Sequence, residues 1–311
     1  MRIVITEFMD EPAVARLRAA HEVVHDPKLV DDAARLLAAV AHADALIVRN
    51  RTQVRGELLA AAARCRVVGR LGVGLDNIDV AACQARGLRV IPATGANAQS
   101  VAEYVVATAL LLLRGAYRST SQVAAGAWPR SALSNGRELG GKTLGLIGFG
   151  SIGRRTARLA RALGMRIVAC DPMLPAGDAA YAAHEAQALS LDEVVATADV
   201  VSLHVPLVES TRGLFDAARI GAMKPGAVLI NSARGGIVDE AALAAALKSG
   251  HLGGAAIDVF AAEPLPASPH FDRCPNLVLT PHIAGVSVES NERVSALIAD
   301  RVLEALAGAA A

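Results

Sequence analysis

Apolar residues in this chain recur in two ways: short uninterrupted runs, and longer stretches where they return every three or four positions. The first pattern predicts buried strands and the second helices. Over residues 1 to about 98 the runs at Arg2–Thr6, Glu22–His25, Ala45–Arg49, Arg66–Leu71 and Leu88–Ile91 predict strands. Helices are expected between them, near 11–20, 31–41, 56–63 and 76–86. This alternation predicts a small α/β domain built on a parallel sheet. Val101–Arg114 reads as a long helix, too apolar for a surface position, and is expected between two domains. The alternation then resumes with strands at Thr143–Ile147, Arg166–Cys170, Asp199–Leu203, Ala227–Asn231, Ala255–Val259 and Leu277–Leu279. Helices are expected from Ser151 to about Leu163, at Asp216–Met223 and Asp239–Lys248, and from Val286 to about Leu306. The fold expected is therefore two doubly wound α/β lobes with a cleft between them, ligands sitting beyond the carboxyl ends of the strands.

Composition narrows the class. The chain has 311 residues, 53% hydrophobic and 20% charged, and 31 basic against 30 acidic side chains leave a formal net charge of +1. Two globular domains fit that length, and no basic stripe is present to hold nucleic acid. Cys65, Cys83, Cys170 and Cys274 form no C-x-x-C and read as free thiols, with no metal site implied. The opening MRIVITEFMD lacks a secretion signal's apolar region, and Tyr104–Leu113 is too short to span a bilayer. A cytoplasmic protein without membrane partners is expected.

Thr143–Asp171 carries the first chemistry. The strand Thr143–Ile147 runs into Gly148, Gly150 and Gly153, a G-x-G-x-x-G that opens a helix. In such a unit the first glycine allows the turn and the second lets the backbone approach a pyrophosphate. The third lets helix and strand pack closely, and the helix N-terminus supplies oriented N–H groups. Asp171 ends the next strand, where a carboxylate binds the ribose hydroxyls of a dinucleotide. That carboxylate repels a 2′-phosphate, and the following Pro172-Met173-Leu174 offers no arginine to hold one, so NAD is expected rather than NADP.

Three polar residues stand at later strand ends: Arg234 in NSARGGIVDE, Glu263 in DVFAAEPLP and His282 in TPHIAG. Hydride transfer to or from a carbonyl carbon needs a proton donor or acceptor near its oxygen, and histidine serves in both roles near neutrality. A carboxylate beside it favours the protonated ring and fixes its orientation, while an arginine offers paired donors to a carboxylate and carbonyl.

With GRLGVGLDNID, GFGSIG, SLHVPL, NSARGGIVDE, AAIDVFAAEP and TPHIAG in that order, the chain resembles the D-isomer-specific 2-hydroxyacid dehydrogenases nearly end to end, on the 3-phosphoglycerate dehydrogenase-like branch. The resemblance implies a Rossmann NAD domain, residues 99–284, inserted in a flavodoxin-like substrate domain, residues 1–98 and 285–311. It implies Arg234, Glu263 and His282 as the catalytic set. It places Ser151, Ile152, His204, Val205, Pro206, Thr211, Ala233, Asp258 and Gly285 against NAD beside Gly148, Gly150, Gly153 and Asp171. Asn50, Arg51, Gly72, Val73 and Gly74 would meet a small 2-hydroxy or 2-keto acid. A homodimer is implied, with Trp128 either reaching the neighbouring subunit's site or packing in the interface.

Departures from the pattern refine the expectation. The chain ends near the domain boundary, so no C-terminal regulatory module is expected. Arg49-Asn50-Arg51 stands where phosphoglycerate enzymes carry a small hydroxyl residue after the first arginine, which points away from phosphoglycerate. The polar run Arg49–Gln53 suits a substrate with a second anionic group, phosphate, sulfonate or carboxylate, and EFMD with VRNRTQV is similar to sulfolactate dehydrogenases. Glu263 argues against the formate dehydrogenases, which pair the histidine with glutamine. The alternative is an NAD-sensing corepressor of the same fold, although the long disordered tails of that role are missing.

Overall fold

A computed structural model describes residues 1–308. The chain divides into two compact units, Met1–Asn97 joined by the chain from Val286 onward, and Ala98–Gly285.

The first unit holds strands β1 (Arg2–Ile5), β2 (Glu22–His25), β3 (Ala45–Val48), β4 (Val67–Arg70) and β5 (Arg89–Pro92), all parallel in the order β2-β1-β3-β4-β5. Helices α1 (Glu11–Ala20), α2 (Ala33–Val40), α3 (Gly56–Ala61) and α4 (Val80–Ala85) connect them. Because side chains alternate along a strand, Ile3, Ile5 and Ile47 feed one core while Val4, Leu46 and Val48 feed the other. Both faces are covered, which is why these strands are apolar without interruption. The last helix, α12 (Val288–Gly308), lies on β4. Gly69 makes that approach possible, since a Cβ there would stand 2.8 Å from Ile298 and 2.9 Å from Val302. The strand order reverses between β1 and β3, the position at which doubly wound sheets open a crevice.

The second unit opens with α5 (Ala98–Arg114) and α6 (Thr120–Ala124), followed by β6 (Thr143–Ile147), α7 (Ser151–Ala162) and β7 (Arg166–Cys170). Next come α8 (Ala179–Ala183), β8 (Ala186–Ala188), α9 (Leu191–Thr197), β9 (Val200–Leu203), α10 (Ala217–Gly221) and β10 (Val228–Asn231). The series closes with α11 (Glu240–Lys248), β11 (Gly254–Ile257) and β12 (Leu277–Leu279). The sheet is parallel throughout, in the order β12-β11-β10-β9-β6-β7-β8, and reverses between β6 and β9. The apolar face of α5 is used inside this unit: Val105, Ala109, Leu112 and Leu113 share a core with Leu144, Leu146, Ile230 and Ala256. Among the described residues no single helix is long and apolar enough to cross a membrane.

Most expected elements form, with ends moved by a few residues. The helix expected from 76 begins at Val80, because the Asp79 side chain accepts from the Ala82 N–H and starts it there. The stretch after Asp171 holds α8, β8 and α9, which the apolar pattern does not announce. β8 is a three-residue edge strand, Ala-Gln-Ala, with no β-branched or aromatic side chain.

Candidate active site

The second unit's reversal point is built by glycine. Gly148 follows β6 with φ 98°, and a Cβ on it would lie 2.5 Å from the His204 carbonyl oxygen, so the loops after β6 and β9 touch only because the residue is glycine. A Cβ at Gly153 would lie 2.3 Å from the Gly148 carbonyl oxygen, which fixes how tightly α7 packs on its own turn. Gly150, the N-cap of α7, has open space where a Cβ would be, and no side chain caps the helix there. Asp171, at the end of β7, accepts from the Phe149 N–H at 2.8 Å and the Met173 N–H at 2.9 Å. Both of its oxygens keep acceptor capacity for hydroxyl groups. An uncapped helix N-terminus, an unobstructed glycine and an anchored carboxylate together fit a dinucleotide.

Beyond β9 the chain turns on itself. The Thr211 hydroxyl donates to the Pro206 carbonyl at 2.6 Å and accepts from the Val208 N–H at 2.8 Å. His204 pairs through Nε2 with the buried Ser202 hydroxyl at 3.0 Å, and burial pushes the ring down to about 4, so it is neutral at pH 7. Its ring is thus bound into the protein, and its carbonyl is the group beside Gly148.

Arg234, Glu263 and His282 follow β10, β11 and β12, three neighbouring strands. The buried Asn231 side chain accepts from the Ala233 N–H at 3.1 Å and donates to the Arg234 carbonyl at 2.9 Å, fixing the turn that carries the arginine. At Gly235 a Cβ would lie 1.7 Å from the Phe260 carbonyl oxygen, so the loops after β10 and β11 meet there. Glu263 accepts from the Phe260 N–H at 2.9 Å with one oxygen and contacts His282 Nδ1 at 2.7 Å with the other. With the carboxylate ionised, Nδ1 carries the proton and Nε2 is the nitrogen left for a substrate oxygen.

His282 has φ 55°, unusual outside glycine. Asp258, only 1% exposed, holds it there. Its carboxylate accepts from the Thr280 hydroxyl at 2.6 Å and from the Ile283 and Ala284 N–H groups at 2.8 Å each, and its carbonyl accepts from the His282 N–H at 2.8 Å. Tyr104 bonds the same Thr280 hydroxyl at 2.7 Å. Asp258 therefore anchors the histidine loop, and Gly285 follows that loop directly. Asn231, Thr280 and Tyr104 escaped the sequence reading. Asn231 carried a signal, being a polar side chain that ends a fully apolar strand.

In the first unit, Asn50 and Arg51 lie past β3 and Gly72, Val73 and Gly74 past β4, its neighbour. A side chain at Gly72 would occupy the position of the Arg70 guanidinium, 1.4 Å away. The Arg49 side chain is half-buried, donates to Asn291 at 2.9 Å and lies over the Phe8 ring at 5.8 Å. Arg51 is exposed, and its guanidinium pairs with the exposed Asp31 carboxylate.

Residues 106–284 match the family described as D-isomer specific 2-hydroxyacid dehydrogenase, NAD binding domain. The chain is 56% identical over 304 residues to an (S)-sulfolactate dehydrogenase of Chromohalobacter salexigens, covering 98% of each. It is 41% identical over 308 residues to a D-3-phosphoglycerate dehydrogenase of Mycobacterium leprae, spanning 98% of this chain and 57% of that protein. Among solved structures, the TT0316 protein of Thermus thermophilus superposes with a TM-score of 0.87 at 36% identity, over 99% of this chain and 97% of that one. With a dinucleotide cradle and a histidine–glutamate pair on loops of one parallel sheet, and similarity running the length of the chain, this protein is a member of the D-isomer-specific 2-hydroxyacid dehydrogenase family, an NAD-dependent oxidoreductase of small 2-hydroxy acids.

Proposed function

We propose that the substrate is a 2-hydroxy acid carrying a second anionic group at its far end, a sulfonate of the sulfolactate type, and that Arg234, Glu263 and His282 carry the reaction. The observation behind the catalytic assignment is the His282–Glu263 contact at 2.7 Å, which leaves Nε2 as the working nitrogen. In reduction of the keto acid, Nε2 gives its proton to the C2 oxygen; in oxidation it takes the hydroxyl proton back. Glu263 stabilises the imidazolium and keeps the ring turned. Arg234 offers paired donors to the substrate carboxylate and the C2 oxygen. NAD, held by Gly148, Gly150, Ser151, Ile152, Gly153 and Asp171, would supply or accept the hydride at C2. The backbone past β4, at Gly72, Val73 and Gly74, is assigned to the substrate carboxylate.

The substrate class rests on two supports. The relative in Chromohalobacter salexigens, at 56% identity, is an (S)-sulfolactate dehydrogenase. Of the two arginines past β3, Arg49 is committed to Asn291 and Phe8, whereas Arg51 has only an exposed carboxylate as partner and can exchange it for a substrate anion. Arg51, with Asn50 beside it, is therefore assigned to the second charge. Arg51→Ala should raise KM for 3-sulfopyruvate on the order of 10-fold, through loss of one charge-assisted contact to the bound substrate. KM for pyruvate should stay near that of the parent enzyme. Equal penalties on both acids would refute the assignment.

A further inference from the structure

Glu7 follows β1 at the point where the first unit's strand order reverses, and it is 4% exposed. Burying a carboxylate is costly unless its oxygens are fully engaged. Here four consecutive backbone N–H groups engage them. Oε1 accepts from Arg49 at 2.9 Å and Thr52 at 3.0 Å, and Oε2 from Arg51 at 3.1 Å and Asn50 at 3.3 Å. Burial pushes this carboxyl up, but the N–H bonds of Thr52, Arg49 and Arg51 pull it down further, so it remains ionised below the usual carboxylate range.

The carbonyl side of the same turn is held as well. Asn77, also buried, donates to the Arg49 carbonyl at 3.2 Å and the Thr52 carbonyl at 2.7 Å, and Thr6 and Thr52 share a hydroxyl contact of 2.7 Å. Every N–H from 49 to 52 is thus directed inward at one carboxylate. Those N–H groups are unavailable to a ligand anion, so an anion arriving at this turn must be met by side chains. Thr52 is buried and Arg49 is held by Asn291, which leaves Asn50 and Arg51 pointing outward from a backbone that is already fixed.

From this geometry we infer that Glu7 is a positioning residue that shapes the 49–52 turn so that Asn50 and Arg51 select a substrate with a second anionic group. The inference rests on the substrate reading above and names the group that makes it work. A turn set in advance spends no binding energy on being ordered, so the gain falls on substrates that engage Arg51.

The test is Glu7→Gln, which keeps the shape but turns one acceptor into an NH₂ donor facing two N–H groups. Amide hydrogen exchange at 49–52, read without substrate, should quicken at least about 10-fold, the equivalent of one charge-assisted bond. KM for 3-sulfopyruvate should rise by about the same factor, with KM for pyruvate and NADH affinity little changed. Glu7→Asp, which keeps the charge, should recover part of the loss. Unchanged exchange, or an unchanged ratio of the two KM values, overturns the inference, and so does an equal rise for both acids. Should Glu7→Gln fail to fold, Asn77→Ser loosens the same turn from its carbonyl side, and the same selective rise in KM is required of it. A parent enzyme that reduces pyruvate more efficiently than 3-sulfopyruvate contradicts the substrate reading instead, and exchange at 49–52 then decides the role of Glu7 in shaping the turn.

Discussion

His282 shows how much local structure one reacting nitrogen requires. Its backbone sits at φ 55°, held by Asp258 through three bonds to its carboxylate and one to its carbonyl, and its ring is fixed by Glu263. Strained backbone of this kind persists where surrounding contacts impose it. Since general acid catalysis contributes roughly 10²- to 10⁴-fold, His282→Ala should lose that much turnover while NADH affinity, read by fluorescence titration, stays near the parent value. Turnover close to the parent would remove His282 as proton donor. Asp171 invites a second test, because its oxygens still have room for ribose hydroxyls and its charge opposes a 2′-phosphate. The parent enzyme should prefer NAD, and Asp171→Ala should narrow the gap in kcat/KM between the two cofactors; an unaltered gap would contradict that role. Both positions stood out in the sequence, Asp171 directly at the end of an apolar run and His282 just past one. Glu7 opens the EFMD that follows β1, but no local pattern discloses its role: its four partners are more than forty positions away, beyond a strand the sheet sets alongside.

The positions of the strands follow from short-range pattern, whereas their order in the sheets and the loops that end them follow from longer-range contacts. Long apolar runs announced β1, β3, β6 and β10, whereas β8 had too few informative side chains to be seen, and the short α9, which the structure closes with a Ser190–Glu193 capping box, went unread. The loop after β9 yields a prediction about acid stability. His204 binds protons in the unfolded chain near its ordinary value of 6.5 but in the fold only near 4. Its neutral form therefore contributes stability that is complete above about pH 6.5 and is lost as pH falls toward 4. At ~1.4 kcal/mol per unit this amounts to on the order of 3 kcal/mol at most. Glu7, whose carboxyl lies below its ordinary value of 4.5, adds a loss only in more acid solution. Urea unfolding of the parent and of His204→Asn between pH 7.5 and 4.5 should show a shallower decline for the variant. Parallel declines would contradict the account.

At the scale of the whole molecule, two parallel-sheet units each reverse strand order once, and the residues assigned to chemistry lie just past the carboxyl ends of strands. This placement was legible because glycine-rich turns and isolated polar residues interrupt otherwise apolar runs. The surface around α6 adds an expectation of assembly: Trp128 is 78% exposed, with Tyr117 and Val123 exposed nearby. Three large exposed apolar side chains within twelve positions of the chain suit an interface with a second copy. Sedimentation should give a dimer, and Trp128→Glu combined with Tyr117→Glu should shift it toward monomer; a parent protein that sediments as a monomer at micromolar concentration would contradict this. The central claim, an NAD-dependent enzyme selecting a 2-hydroxy acid with a second anion, is tested most directly by kcat/KM for NADH-dependent reduction of 3-sulfopyruvate, oxaloacetate and phosphohydroxypyruvate against pyruvate and 2-ketoisocaproate. That value should be highest for 3-sulfopyruvate and lowest for the two acids with uncharged tails. A higher kcat/KM for pyruvate or 2-ketoisocaproate than for any of the doubly anionic acids would contradict it.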